Sequence, residues 1–213
     1  MCQARAPGRN ANIIPTMPLN PVSNPQTLVL LSGGLDSAVC LDYYIQSQHK
    51  TQALFVDYGQ PSATLEFDAA GKLAGHFRTK LDKIKVDGFP GYAGGFIRGR
   101  NAFLLVAALM YFDVSSGLIA IGIHSGTSYS DCGGDFVELM RSIFALYSGG
   151  SIALDAPLLN WNKGEIWNHA VEREVPIRDT YSCELGREQP CGDCLSCKDM
   201  ETLNASAKFR TNA

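Results

Sequence analysis

From Thr27 onward, short apolar runs alternate with segments whose apolar residues recur every three or four positions, and this alternation is what most constrains the fold. The run Thr27 to Leu31 (TLVLL) ends at a glycine pair and carries no polar alternation, as expected of a strand buried on both faces. Ala38, Leu41 and Ile45 then fall at helical spacing, and Ala53 to Val56 forms a second buried strand. Leu65, Ala69, Leu73 and Phe77 make a helical stripe, followed by Ile84 and Val86 at strand spacing. A Gly-rich loop (Asp87 to Gly99) leads into an apolar helix, Arg100 to Phe112, then a strand, Leu118 to Ile123. A helix (Phe136 to Tyr147), a strand (Ile152 to Leu154) and a last helix (Lys163 to Arg173) complete the series. The pattern predicts an α/β fold: a doubly wound parallel sheet of about five strands with right-handed crossovers and helices on both faces. Ligands of such sheets bind at the carboxyl ends of the strands. Four loops therefore draw attention: Ser32 to Ser37, Asp57 to Gln60, the loop ending at Asn101, and His124 to Asp135.

The two ends of the chain depart from this pattern. Residues 1 to 26 hold five of the ten prolines, four asparagines, two arginines and no acid, without a period of 2 or 3.6, and are expected to form a poorly ordered leader. The α/β body is expected over 27–175. From about Pro176 the alternation stops, and 176–213 is expected to form a small metal-binding subdomain with a cysteine cluster and a short helix. Eighteen basic against 21 acidic residues, without runs of like charge, leave no footprint for nonspecific nucleic-acid binding. The apolar run Phe103 to Phe112 falls well short of the roughly 20 residues that cross a bilayer, and no signal-peptide core precedes it, so a cytoplasmic chain without membrane partners is expected.

Two clusters carry chemistry. Ser32-Gly33-Gly34-Leu35-Asp36-Ser37 lies between a strand and a helix. Its glycines let backbone N–H groups converge on an anion, its serines add hydroxyl donors, and the helix aims its positive end at the same point. It has neither the lysine of a Walker A loop nor the third glycine of a dinucleotide fingerprint. The bland reading is a tight turn with an N-cap. In the second cluster, Cys183, Cys191, Cys194 and Cys197 supply four thiolates within fifteen residues, the set of a closed tetrahedral zinc site. An iron–sulfur cluster is the rival, although the ferredoxin run needs a further Cys and Pro where Lys198 to Glu201 stand. Disulfides fit an odd total of seven cysteines poorly. Cys2, Cys40 and Cys132 read as core or chance residues, with Cys132 alone in one of the four loops.

Other residues are weaker signals taken singly. Lys163 could offer a point charge to phosphate or be a solvated lysine. Arg100 and Asn101 suit nucleotide or carboxylate recognition, but equally a helix cap. Asp57 and Tyr58 could face adenine or ribose, or be turn residues. His124 and Asp131 sit where a substrate anchor would. No general base is assigned.

SGGLDS resembles the PP-loop of N-type ATP pyrophosphatases, and within that superfamily the chain resembles the 7-cyano-7-deazaguanine synthase (QueC-like) family of queuosine biosynthesis. The matching pieces are Asp57-Tyr58-Gly59-Gln60, Gly99-Arg100-Asn101, Ser130-Asp131-Cys132, Pro157-Leu158 with Lys163 and Trp167, and the four cysteines. The resemblance implies ATP bound at Ser32 to Ser37 with Mg²⁺, Asp36 and Lys163 as catalytic residues, and Asp57, Tyr58, Arg100, Asn101, His124 and Asp131 near substrate or nucleotide. It also implies a structural zinc on the four cysteines and a homodimer. The implied reaction adenylates 7-carboxy-7-deazaguanine and converts it with ammonia to amide and then nitrile, releasing AMP and pyrophosphate. Two alternatives stay open: a QueC-like enzyme joining the deazaguanine carboxylate to an amine on a protein or other macromolecule, and a non-catalytic zinc and nucleotide-binding module. The second has no need of Asp36. Pro61-Ser62 stands where the family has Arg-His, Arg98 where it has Pro, and Gly133 where it has Arg, while Asp87 to Gly99 is shorter than its counterpart. These departures predict a less covered pocket.

Overall fold

The computed structural model describes residues 25–92, 95–127 and 129–211, with side chains in the last helix described to residue 205. The expected leader lies, but for residues 25 and 26, outside the described residues. Five strands, β1 (Gln26–Leu30), β2 (Lys50–Asp57), β3 (Lys80–Lys85), β4 (Gly117–Ile121) and β5 (Ile152–Asp155), form one parallel sheet in the order β3-β2-β1-β4-β5. Helices α1 (Leu35–Gln46), α2 (Ala63–His76), α3 (Arg100–Tyr111), α4 (Gly134–Ser148), α5 (Lys163–Glu172) and α6 (Leu195–Thr211) complete it. The doubly wound sheet expected from the alternation is present.

Strand periodicity sorts the core into two layers. Val29 and Leu31, with Ala53 and Phe55, face the layer holding Leu41 of α1, Leu73 of α2 and Ile166 of α5. Leu28 and Leu30, with Leu54, Val56, Ile119 and Ile121, face Leu105 of α3 and Phe144 of α4. Burying a large aliphatic side chain contributes about 1.5–3 kcal/mol, so both layers are needed to hold helices on the two faces.

The strand order reverses between β1 and β4, whose following connections run to opposite faces and leave a crevice at their carboxyl ends. Several boundaries differ from expectation, among them β2, which starts at Lys50 rather than Ala53, and β4, which ends at Ile121 rather than Ile123. β3 runs Lys80–Lys85 rather than through Val86. It is an edge strand whose charged residues (KLDKIK) obscure the strand pattern while guarding the open edge. The first helix begins at Leu35, inside the Gly-Ser loop, rather than at Ala38. The last helix is 17 residues long rather than short, and it contains Cys197. Met200 and Leu203 of α6 pack on the α1/α5 layer, so this helix is joined to the main core by apolar contact. Among the described residues no helix is long and apolar enough to cross a membrane.

Candidate functional site

The crevice at the sheet reversal opens into a cavity of about 290 Å³. Its floor is the turn from β1 into α1. Gly33 has φ +85°, and a Cβ there would lie 2.4 Å from the Glu66 carbonyl oxygen of α2, so only glycine lets the loop sit this close to the neighbouring helix. Gly34 is the N-cap of α1 in extended conformation and makes no side-chain cap, leaving the first-turn N–H groups free of a capping side chain. The Ser37 hydroxyl donates to the Gly34 carbonyl (2.9 Å), and the Ser32 hydroxyl donates to Ser37 Oγ (3.2 Å). The result is a preformed cradle of uncapped donors at the positive end of a helix.

Asp36, in the first turn of α1, projects over this cradle. Lys163 Nζ, from the first turn of α5, donates to both of its carboxylate oxygens at 2.7 and 2.8 Å. Both side chains are about a quarter exposed, so the pair faces the cavity rather than the core. Asn162 caps α5 by accepting from the Glu165 N–H (3.0 Å), and the Glu165 carboxylate accepts from the Asn162 N–H (2.7 Å). This capping box fixes the helix start on which Lys163 stands. His124 follows β4, with Nε2 3.7 Å from Asp36 Oδ2. Its Nδ1 accepts from the Gly126 N–H (3.2 Å), which in the neutral ring places the proton on Nε2, toward Asp36. Burial pushes the His124 pKa below its ordinary value, against the pull of Asp36.

Opposite this group, Arg100 and Asn101 open α3, both lining the cavity. The Asn101 side chain donates to the Asp131 carbonyl (2.9 Å), tying α3 to the short turn Ser130–Cys132. Asp131 is buried behind the wall rather than lining the cavity, and its Oδ1 has no hydrogen-bond partner. Tyr58 lines the cavity; burial pushes its phenol up to about 12, with Arg100 beside it acting in the opposite sense. Asp57 is not brought to the wall. Its carboxylate accepts from Lys83 (2.9 Å) and from the Gly59 N–H (3.2 Å), the arrangement of a turn aspartate. Burial opposes its ionisation, yet these partners hold its pKa below the ordinary carboxylate value.

Two groups of lining residues escaped the sequence motifs. Glu66 in α2 accepts from Gln60 Nε2 (2.9 Å) and from the Ser62 hydroxyl (2.7 Å), and burial raises its pKa. The four-residue spacing of Ser62 and Glu66 was its only local signal. Tyr181, Glu184, Ser196 and Asp199 come from the segment around the cysteines. Their approach follows from packing alone.

The sulfur atoms of Cys183, Cys191, Cys194 and Cys197 all lie within 4.8 Å of one another. Four thiolates at about 2.3 Å from one ion would be about 3.8 Å apart along each tetrahedral edge. Cys191 and Cys197 show that separation, 3.8 Å. The N–H groups of Cys194 and Asp193 point at Cys191 Sγ (3.3 and 3.4 Å), lowering that thiol to about 6, whereas burial pushes Cys197 up to about 12. The donor set fits a single tetrahedral metal ion.

The chain matches the family model described as queuosine biosynthesis protein QueC over residues 26–94 and 91–205. A 7-cyano-7-deazaguanine synthase from Prochlorococcus marinus subsp. pastoris is 29% identical over 221 residues, spanning 90% of this chain and 98% of the relative. Another of that name, from Desulfitobacterium hafniense, is 33% identical over 199 residues, spanning 81% and 85%. Among solved structures, the U34-tRNA thiolase NcsA from Methanococcus maripaludis with its 4Fe-4S cluster aligns with a TM-score of 0.49 at 18% identity. That alignment covers 89% of this chain and 67% of the other.

Proposed function

The chain belongs to the QueC family of queuosine biosynthesis proteins, and from that premise we propose that it is an ATP-dependent carbon–nitrogen ligase acting on 7-carboxy-7-deazaguanine. The observation that carries the reading is the Asp36–Lys163 pair, 127 residues apart in sequence, poised over the uncapped start of α1. The α1 donors and the two serine hydroxyls bind the triphosphate, and Lys163 exchanges its carboxylate partner for phosphate oxygen. Asp36 is the hard oxygen donor suited to Mg²⁺ arriving with the nucleotide, an ion that neutralises charge developing on pyrophosphate. A substrate carboxylate oxygen attacks the α-phosphorus and pyrophosphate leaves. Ammonia then attacks the acyl carbon of the adenylate and AMP leaves, giving the amide. A second ATP adenylates the amide oxygen with release of pyrophosphate and a proton, and loss of AMP and the second amide proton leaves the nitrile. Preorganised donors at the departing charge commonly contribute several kcal/mol to such a step.

The four thiolates hold a structural zinc in this reading. A cubane cluster interposes iron between the thiolates and needs them wider apart than 3.8 Å. Thiols kept reduced for metal binding suit the cytoplasm. A homodimer suits the outer side of α4, where Leu139, Leu146 and Tyr147 are 67%, 69% and 75% exposed. A second reading, transfer of the activated carboxylate to an amine on a macromolecule, is favoured by Phe96, 53% exposed and stacked on Tyr129 of the cavity wall.

The test is mass spectrometry after incubation with ATP, Mg²⁺, 7-carboxy-7-deazaguanine and ammonium. AMP, pyrophosphate and a nitrile are expected. ADP and phosphate would overturn the ligase reading. A mass increase on a co-expressed protein, without free product, would move the assignment to conjugation.

A further inference from the structure

The cysteine knuckle is connected to the phosphate cradle by a chain of hydrogen bonds that runs through one residue. The Tyr181 N–H donates to the Gly33 carbonyl (2.9 Å), at the positive-φ glycine of the cradle. The Tyr181 hydroxyl donates to the Arg187 carbonyl (2.8 Å), and both that hydroxyl and the Arg187 peptide interact electrostatically with the Cys183 sulfur. A second contact runs beside it. Gly186 has φ +67°, and a Cβ there would lie 2.3 Å from the Pro61 carbonyl oxygen, so the knuckle rests directly on the loop between β2 and α2. That loop leads into Ser62 and Glu66, and the Glu66 carbonyl is the atom against which Gly33 is seated. The knuckle thus meets the cradle from two sides. It also supplies cavity wall: Glu184 lines the cavity and accepts from both the N–H (3.2 Å) and the hydroxyl (2.7 Å) of Ser196, which fixes the start of α6.

We propose that Tyr181 is a positioning residue that couples metal occupancy of the four-cysteine knuckle to nucleotide binding at the Ser32–Ser37 cradle. The inference rests on the nucleotide-binding reading above. When the four thiolates share one ion, Cys183 is fixed, the Arg187 peptide that points at it is fixed, and the Tyr181 hydroxyl has a stationary acceptor. The Tyr181 main chain then holds the Gly33 carbonyl outward, and the following N–H groups stay directed into the cavity. Without the ion the thiols lose their common centre and this tether slackens. Linkage requires the effect to run both ways by the same factor, so bound nucleotide must tighten the hold on metal.

The test uses the full chain loaded with one zinc. Affinity for α,β-methylene-ATP with Mg²⁺ is read by calorimetry, and zinc release is read with an excess of a chelating dye. In the wild type, the nucleotide analogue is expected to reduce the extent of zinc release. Tyr181→Phe removes only the hydroxyl tie; it should retain one zinc and the wild-type melting temperature while nucleotide affinity falls about threefold to tenfold. Protection of zinc by nucleotide should fall by the same factor, and in turnover KM for ATP should rise with kcat little changed. Gly186→Ala, which lifts the knuckle off Pro61, should reproduce the loss of affinity with zinc retained. A wild type that binds the analogue with unchanged zinc release, or a Tyr181→Phe protein that binds it as tightly as wild type, overturns the coupling. A zinc-loaded wild type that binds no analogue overturns the nucleotide-site reading itself.

Discussion

The phosphate cradle and the cysteine knuckle each converge donors on one point, but they are held by different means. The cradle is seated on the fold: Gly33 is buried against the α2 backbone, Leu35 and Ala38 enter the core, and β1 behind it is the central strand of the sheet. The knuckle has little core of its own. Cys183 and Cys197 are buried, but the stretch between them is exposed or half-exposed, and among the described residues α6 reaches the main core through partly buried Met200 and Leu203. The cradle therefore stands ready without its ligand, whereas the knuckle depends on one. Binding sites that take a transient substrate need the first design, and a permanent staple can use the second.

This contrast breaks most sharply at Cys194→Ser. Metal binding to four thiolates contributes on the order of 10 kcal/mol in small zinc domains, so the variant should lose its metal and expose 183–197 to protease. The sheet should keep its circular dichroism. If the whole chain unfolds instead, the knuckle is part of the main folding unit.

Asp36→Ala acts on the cradle in the opposite way. The side chain touches Lys163 and His124 at the cavity and contributes little to the core, so AMP formation should fall at least about a hundredfold. Melting should stay within a few degrees of wild type.

Gly33→Ala tests whether the cradle is seated as described. A side chain at φ +85° and 2.4 Å from a backbone carbonyl should cost about 1–3 kcal/mol, read as a lowered denaturation midpoint. The equivalent change at Gly133, where an added Cβ meets nothing, should leave the midpoint in place.

The smallest effect is a pH dependence confined to the cradle side. Burial depresses the His124 pKa, so below the ordinary histidine value of 6.5 the unfolded chain binds a proton that the folded site resists. Its contribution to stability is full above that value and is lost as the pH falls below it. Melting temperatures from pH 8 to 5 should fall less steeply in His124→Asn than in wild type. Equal slopes would show that His124 takes no part.

The two regions also differ in how far their residues can be read from the chain. Both clusters stand out as short motifs, because converging N–H groups need adjacent glycines and a metal needs its thiolates close in sequence. The partners of the cradle do not. Lys163 by itself reads as a surface lysine, and only the packing of α5 against α1 brings it to Asp36. Asp57 is legible only as far as its place at a strand end, which fits a ligand or a turn residue; its pairing with Lys83 on the edge strand comes from the packing of the sheet.

Periodicity and spacing along the chain specify the sheet, the positions of its loops and the identity of the two clusters, because strand and helix periods and local donor sets are written over a few residues. That Glu66, Tyr181 and Glu184 join the cavity, and that the knuckle leans on the cradle, follows from three-dimensional packing alone. Those contacts depend on a Gly33 carbonyl meeting a Tyr181 amide, and on Gly186 meeting the Pro61 carbonyl. Such main-chain meetings leave no side-chain pattern for periodicity or spacing to reveal.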